Sequence, residues 1–164
     1  MRVAELTSLP DAVRQRALEI ETRAFSHPWS LADFDLVVAE PRAVNLALWR
    51  HDELAGYAMA LVEGSGLHIV SLAVDEAHRR QGWGTRLVEE LLRRAAGRGC
   101  RTCRLEVRCS NRPARALYRR CGFRAAGEVP GFYTRPAEDA LVLERAVEPT
   151  FAGADLAPAD AQTD

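Results

Sequence analysis

A chain of 164 residues, 48% hydrophobic and 27% charged, has the size of one domain with a full core. Its formal net charge of -1 argues against a general nucleic-acid or membrane surface. No run is long enough to span a bilayer and no hydrophobic leader follows Met1, so a soluble, cytoplasmic protein is expected.

The predicted elements begin with a short strand over Arg2 to Thr7. Asp11 to Phe25 reads as a helix, because Val13, Ala17, Ile20 and Ala24 are spaced for one buried face. Ser30 opens a second helix, with Asp33 in the capping-box position and Phe34, Val37 and Val38 turned inward. Val44 to Trp49 and Leu54 to Val62 read as strands joined by a polar turn at Arg50 to Glu53. Gly64-Ser65-Gly66 turns into an apolar, largely buried strand, Leu67 to Val74. Leu87, Val88, Leu91, Leu92 and Ala95 mark the face of the next helix. Thr102 to Arg108 alternates, with Cys103, Leu105 and Val107 on one face and Arg104 and Glu106 on the other.

Ser110 or Asn111 can cap a further helix that tolerates Pro113 in its first turn, carries Tyr118 and stops at Gly122. Phe123 to Val129 and Asp139 to Val147 would close the sheet. From Glu148 onward large apolar residues become scarce, which predicts one domain over residues 1–148 and a disordered tail over 149–164. This mixture of elements implies an α/β fold, a single mixed sheet with helices on both faces.

Two stretches carry chemistry. The first is Arg79-Arg80-Gln81-Gly82-Trp83-Gly84, a glycine loop between a strand and a helix. The first N–H groups of a helix lack internal partners and the helix dipole favours an anion there. Gly82 and Gly84 let backbone approach that anion, and Arg79 and Arg80 add mobile positive charge. A pyrophosphate suits such a loop. It is neither a dinucleotide fingerprint nor a P-loop, since the third glycine and the Gly-Lys-Ser/Thr run are missing.

The second stretch runs from Leu105-Glu106-Val107-Arg108 through Asn111 to Tyr118 and Gly122. It brings a strand carboxylate, a capping amide and a helical phenol within a short length of chain. That spacing suits a base, a ligand-binding amide and an acid around one cleft. Each also has a plain reading: a solvent-facing strand residue, a helix cap, and a tyrosine at a helix–sheet contact. Cys100 and Cys103 form a C-x-x-C pair, but neither a second pair nor suitably spaced histidines accompany it, so reduced buried thiols and no metal are expected.

Together these motifs resemble the signature of the GNAT superfamily of acetyl-CoA-dependent N-acetyltransferases, in which Arg/Gln-x-x-Gly-x-Gly/Ala follows a strand. Within it the chain is similar to the ribosomal-protein-alanine N-acetyltransferases, the RimI branch, from Met1 to Val147. The nearest stretches are Phe25 to Ser30, Leu72 to Asp75, Arg80 to Gly84, Leu105 to Tyr118 and Cys121 to Phe123. The resemblance implies a GNAT fold and acetyl-CoA as co-substrate. It implies that Leu72, Ala73 and Val74 offer backbone groups to the pantetheine and thioester. Arg79, Arg80, Gln81, Gly82, Trp83, Gly84 and Thr85 would hold the phosphates, and Asn111 would hydrogen-bond the cofactor. Glu106 would be the general base and Tyr118 the general acid.

The implied partner is a protein N-terminus, that of an alanine-starting small-subunit ribosomal protein, with no nucleic acid or membrane involved. One departure bears on the acceptor. Gly127 to Tyr133 carries Phe132 and an acid, Glu128, where the branch has paired tyrosines and basic residues. Glu128 would then face a cationic acceptor or be a solvated turn residue. Acetylation of a small-molecule amine or a lysine side chain, or acyl-CoA binding without turnover, are the alternative readings. His27 beside Pro28 and Trp29 would line the acceptor groove or shape a helix start, while nothing in the sequence sets His68 or His78 against a reacting atom.

Overall fold

The computed structural model describes residues 1–149. The expected tail therefore lies, apart from Pro149, outside the described residues. The elements follow in the order β1 (Arg2–Glu5), α1 (Asp11–Ala24), α2 (Leu31–Ala39), β2 (Ala43–Arg50), β3 (Glu53–Glu63), β4 (Gly66–Val74), α3 (Trp83–Gly97), β5 (Thr102–Arg108), α4 (Arg112–Arg120), β6 (Arg124–Thr134) and β7 (Ala137–Ala146). A single turn of 3-10 helix, Glu76–His78, precedes the glycine loop.

The strands form one sheet in the order β1-β2-β3-β4-β5-β7-β6. All pairs are antiparallel except β4 with β5. Helices α1 and α2 bury Ala17, Ile20 and Phe34 against Ala47, Tyr57, Met59 and Ala73 on one face. On the other face α3 and α4 bury Leu87, Val88, Leu91, Ala95 and Tyr118 against Val44, Leu46, Ala58, Leu67, Leu105 and Val107. Alternation along the strands feeds both cores. Among the described residues no helix is long and apolar enough to cross a membrane.

Two irregularities make the site. The parallel pairing of β4 with β5 covers only Gly66 to His68 against Thr102 to Arg104, after which the strands separate. In β4, Ile69 and Ser71 sit opposite the consecutive residues Ala60 and Met59, so Val70 is an extra, bulged residue. The bulge reverses the alternation: Leu67 and Ile69 face α3, and beyond it Leu72 and Val74 do. Ser71 and Ala73 then turn toward α1. The predominantly apolar run from Leu67 to Val74, interrupted only by His68 and Ser71, hides this reversal.

The sequence also misplaces one end of the sheet. β6 continues to Thr134 instead of ending at Val129, and β7 begins at Ala137. Pro130 and Gly131 interrupt the alternation, and the ladder skips from Val129 to Tyr133. The Gly131 N–H is held by the Asp139 side chain at 2.8 Å. Glu128 is thus an exposed strand residue, paired with Leu141, and not part of a turn.

Candidate active site

Where β4 and β5 part, a cavity of about 240 Å³ opens. Its walls are Val70 to Leu72 from β4, Leu105 to Arg108 from β5, and Asn111, Leu117 and Tyr118 from α4 with its cap. Glu21, Phe25, His27 and Trp29 close it from the α1–α2 side, and Tyr133 closes it from β6. A second cavity, of about 480 Å³, is lined by Leu72, Ala73, Val74, His78, Arg79, Arg80, Gly82, Gly84, Thr85 and Arg120. The two share Phe25, Leu72, Asn111, Ala114 and Leu117, so they adjoin. A larger groove, about 720 Å³, lies elsewhere, between α4 and the β6–β7 hairpin, and carries none of this chemistry.

The glycine loop has the geometry of an anion cradle. Gly82 caps α3 at φ 84°, a left-handed conformation that a side chain would strain, and no side chain caps the first turn. Arg80 is also left-handed, at φ 56°. A Cβ on Gly84 would stand 3.3 Å from both Leu117 methyls, so glycine there lets α4 pack close to the loop. Arg79, Arg80 and Arg120 bring positive charge to the same cavity. Arg79 is less mobile than the sequence suggests, because its Nε donates to the Val74 carbonyl at 2.9 Å. That bond engages one of the backbone groups expected to meet a ligand.

Gln81 and Trp83 stand apart from this cavity. They line a groove with Met1, Arg2, Val3, Arg86 and Glu90, on the β1 side of α3, and Trp83 packs against the main core. A bulky residue between the glycines is tolerated because its side chain leaves the loop on the far side of the helix. Gln81 reaches back toward the Ala77 carbonyl at 3.5 Å.

Asn111 caps α4: its Oδ1 accepts the Ala114 N–H at 3.2 Å while the residue lines both cavities. The other end of α4 is a Schellman closure. The Phe123 N–H reaches the Tyr118 carbonyl at 3.0 Å, and the Gly122 N–H reaches that of Arg119 at 3.0 Å, with Gly122 left-handed. This closure sets the Phe123 ring edge-on to Tyr118, centroids 5.5 Å apart. Tyr118 is nearly buried, and burial pushes its hydroxyl pKa well above the ordinary value. It therefore stays a proton donor.

Glu106 faces the cavity with both carboxylate oxygens already engaged. Arg104 donates to Oε1 at 2.8 Å, and His68 Nε2 lies 2.6 Å from Oε2. Arg104 also binds Glu63 at 2.9 Å, a bond that holds the Glu63 carboxyl below its ordinary range. His68 is thus tied to the candidate base, a contact between strands that the sequence does not reveal.

Glu21 is the other residue that sequence reasoning misses. It is buried, accepts from Tyr57 Oη and from the Trp29 N–H at 2.9 Å, and so pins the loop carrying His27 and Trp29. A signal did exist: Ala17, Ile20, Glu21 and Ala24 form one helical stripe, and a carboxylate in an apolar stripe needs partners. Ser30 and Asp33 form the expected capping box, which starts α2 and completes that wall. At the outer rim the Arg108 guanidinium lies 4.1 Å from the Tyr133 ring centroid, and Phe132 is 48% exposed. All four cysteines are free; Cys100, Cys103 and Cys121 are buried and Cys109 is half-buried.

Known proteins resemble this chain in sequence and fold. The pattern of the acetyltransferase (GNAT) family matches residues 14–123. The [ribosomal protein bS18]-alanine N-acetyltransferase of Escherichia coli is 36% identical over 141 residues, which cover 85% of this chain and 91% of that protein. The N-alpha-acetyltransferase RimI of Mycobacterium tuberculosis is 32% identical over 144 residues, 84% of this chain and 89% of that one. The crystal structure of the E. coli ribosomal-protein-S18-alanine N-acetyltransferase superposes with a TM-score of 0.79 at 30% identity, covering 93% of this chain and 97% of that one. The chain belongs to the GNAT family of acetyltransferases and is an acetyl-CoA-dependent N-acetyltransferase.

Proposed function

We propose that this enzyme acetylates the α-amine of a protein N-terminus, that of an alanine-starting ribosomal protein, with Glu106 as general base and Tyr118 as general acid. The observation that carries the reading is the convergence of Glu106 and Tyr118 on one cavity that adjoins the glycine-loop cavity. The acceptor is supported by the relatives named for alanine acetylation.

The chemistry asks for few groups. A protonated amine has no lone pair, so Glu106 must take a proton, directly or through one water, before or during attack. A peptide α-amine, with a pKa of about 7.7–8.0, is partly neutral near neutral pH. A lysine amine near 10.4 is neutral only about one time in a thousand at pH 7.5. One carboxylate therefore suffices for an N-terminus. The acetyl–sulfur bond breaks as the amide bond forms, and Tyr118 gives its proton to the departing sulfur. Backbone of Leu72 and Ala73, on the β4 edge left free beyond His68, is available to the developing oxyanion. Gly82, Gly84, Thr85, Arg79 and Arg80 would hold the pyrophosphate, with Asn111 beside the pantetheine. Gln81 and Trp83 would support the loop from behind.

The test is turnover of a peptide beginning Ala-Arg by Glu106→Gln and Tyr118→Phe. Loss of kcat in both, with acetyl-CoA binding retained, supports the roles; wild-type turnover in both removes them.

A further inference from the structure

His68 is the last residue of β4 paired with β5, opposite Arg104. Its side chain crosses the first unpaired rung and meets Glu106 Oε2 at 2.6 Å. Glu106 lines the reaction cavity and His68 does not, so the imidazole stands behind the carboxylate. Both side chains are largely withdrawn from solvent, at 18% and 13% exposure. The charged groups facing His68 are Glu106 and Arg104 from β5 and Glu63 from β3, whose Oε1 lies 3.6 Å from Nδ1.

Arg104 alone would not aim the base. It lies two residues from Glu106 on the same face of β5, is 43% exposed, and divides its guanidinium between Glu106 and Glu63. A carboxylate held only by that group could follow it toward solvent. The second donor, fixed on the neighbouring strand, removes this freedom. Each carboxylate oxygen keeps a further lone-pair site for the amine proton.

We infer that His68 is a positioning residue, which fixes Glu106 for proton transfer by donating from Nε2 to Oε2 across the mouth of the β4–β5 splay. The inference rests on Glu106 being the base. One N–H at Nε2 suffices for this bond, and Nδ1 faces Glu63.

The test assays full-length variants with acetyl-CoA and a peptide beginning Ala-Arg. His68→Ala should lower kcat about tenfold, the scale of a lost hydrogen bond to a charged group, with the KM for acetyl-CoA within about twofold. His68→Gln retains an N–H at similar reach and should recover most of that loss. Undiminished kcat in His68→Ala, or no recovery in His68→Gln, overturns the inference. Glu106→Gln separates the two readings. If it keeps full turnover, the base assignment has failed. If it is inactive while His68→Ala works normally, only the positioning role has failed, and silence of the wild type removes both.

Discussion

The Tyr57 hydroxyl donates to the buried carboxylate of Glu21, joining the middle of β3 to the last turn of α1 beneath the reaction cavity. Through its bond to the Trp29 N–H the same carboxylate holds the loop that walls the acceptor side. The cluster is a strut for the site, and its chemistry is testable.

Burial raises the Glu21 pKa above its ordinary 4.5, against the opposing hydrogen bonds from Tyr57, Trp29 and Ser71. A carboxyl with a raised folded pKa binds its proton more tightly in the native state than in the unfolded chain. Its contribution to stability therefore declines as pH rises from the ordinary value through the folded one. Glu21→Gln removes that titration. The difference in Tm, variant minus wild type, should become more positive between pH 4.5 and pH 7; a difference that does not move with pH contradicts it.

Removing the two proton-transfer groups should affect chemistry and not binding. Glu106→Gln and Tyr118→Phe are each expected to lower kcat by about 10²–10⁴-fold, with the Kd for acetyl-CoA within about threefold. Because burial pushes the Tyr118 pKa above its ordinary 10.0, kcat should show no loss from its ionisation up to that pH. A kcat that collapses between pH 8 and 9 in the wild type but not in Tyr118→Phe would contradict this.

The glycine loop makes a third prediction. An alanine at Gly82 must sit at φ 84°, which costs about 1–2 kcal/mol. Acetyl-CoA should bind about tenfold more weakly to Gly82→Ala. Gly97→Ala, at the other end of α3 in open space, should bind as the wild type does. Isothermal titration of both variants decides it.

The cysteines make a fourth. Burial pushes the Cys103 thiol up to about 12 and raises that of Cys100. At pH 8 a thiol reagent should modify half-buried Cys109 first and reach Cys103 only on unfolding. Rapid loss of both Cys100 and Cys103 in the folded protein would revive a redox role for the pair.

Much of this molecule is legible in the chain, and the rest is hidden for identifiable reasons. The α3 stripe, the Ser30–Asp33 box and the β5 alternation are local patterns, and the structure contains each of them. The glycine loop is legible because its chemistry is local as well. His68 beside Glu106 is not, since the contact joins residues 38 apart through a parallel pairing of only three rungs. The Val70 bulge is hard to read because the residues that face the two cores around it, Ile69, Val70 and Leu72, are all apolar. Trp83 looks like an intrusion into a phosphate loop until the helix is seen to carry it to the β1 side.

The most direct test of the whole reading is release of coenzyme A from acetyl-CoA with a panel of amines. The panel holds a peptide beginning Ala-Arg, its N-terminally blocked form with an internal lysine, and several polyamines and aminoglycosides. The expected result is turnover with the free-alanine peptide and none with the others. Turnover only with the blocked peptide or the small amines would contradict N-terminal acetylation, and silence across the panel with tight acetyl-CoA binding would contradict catalysis itself.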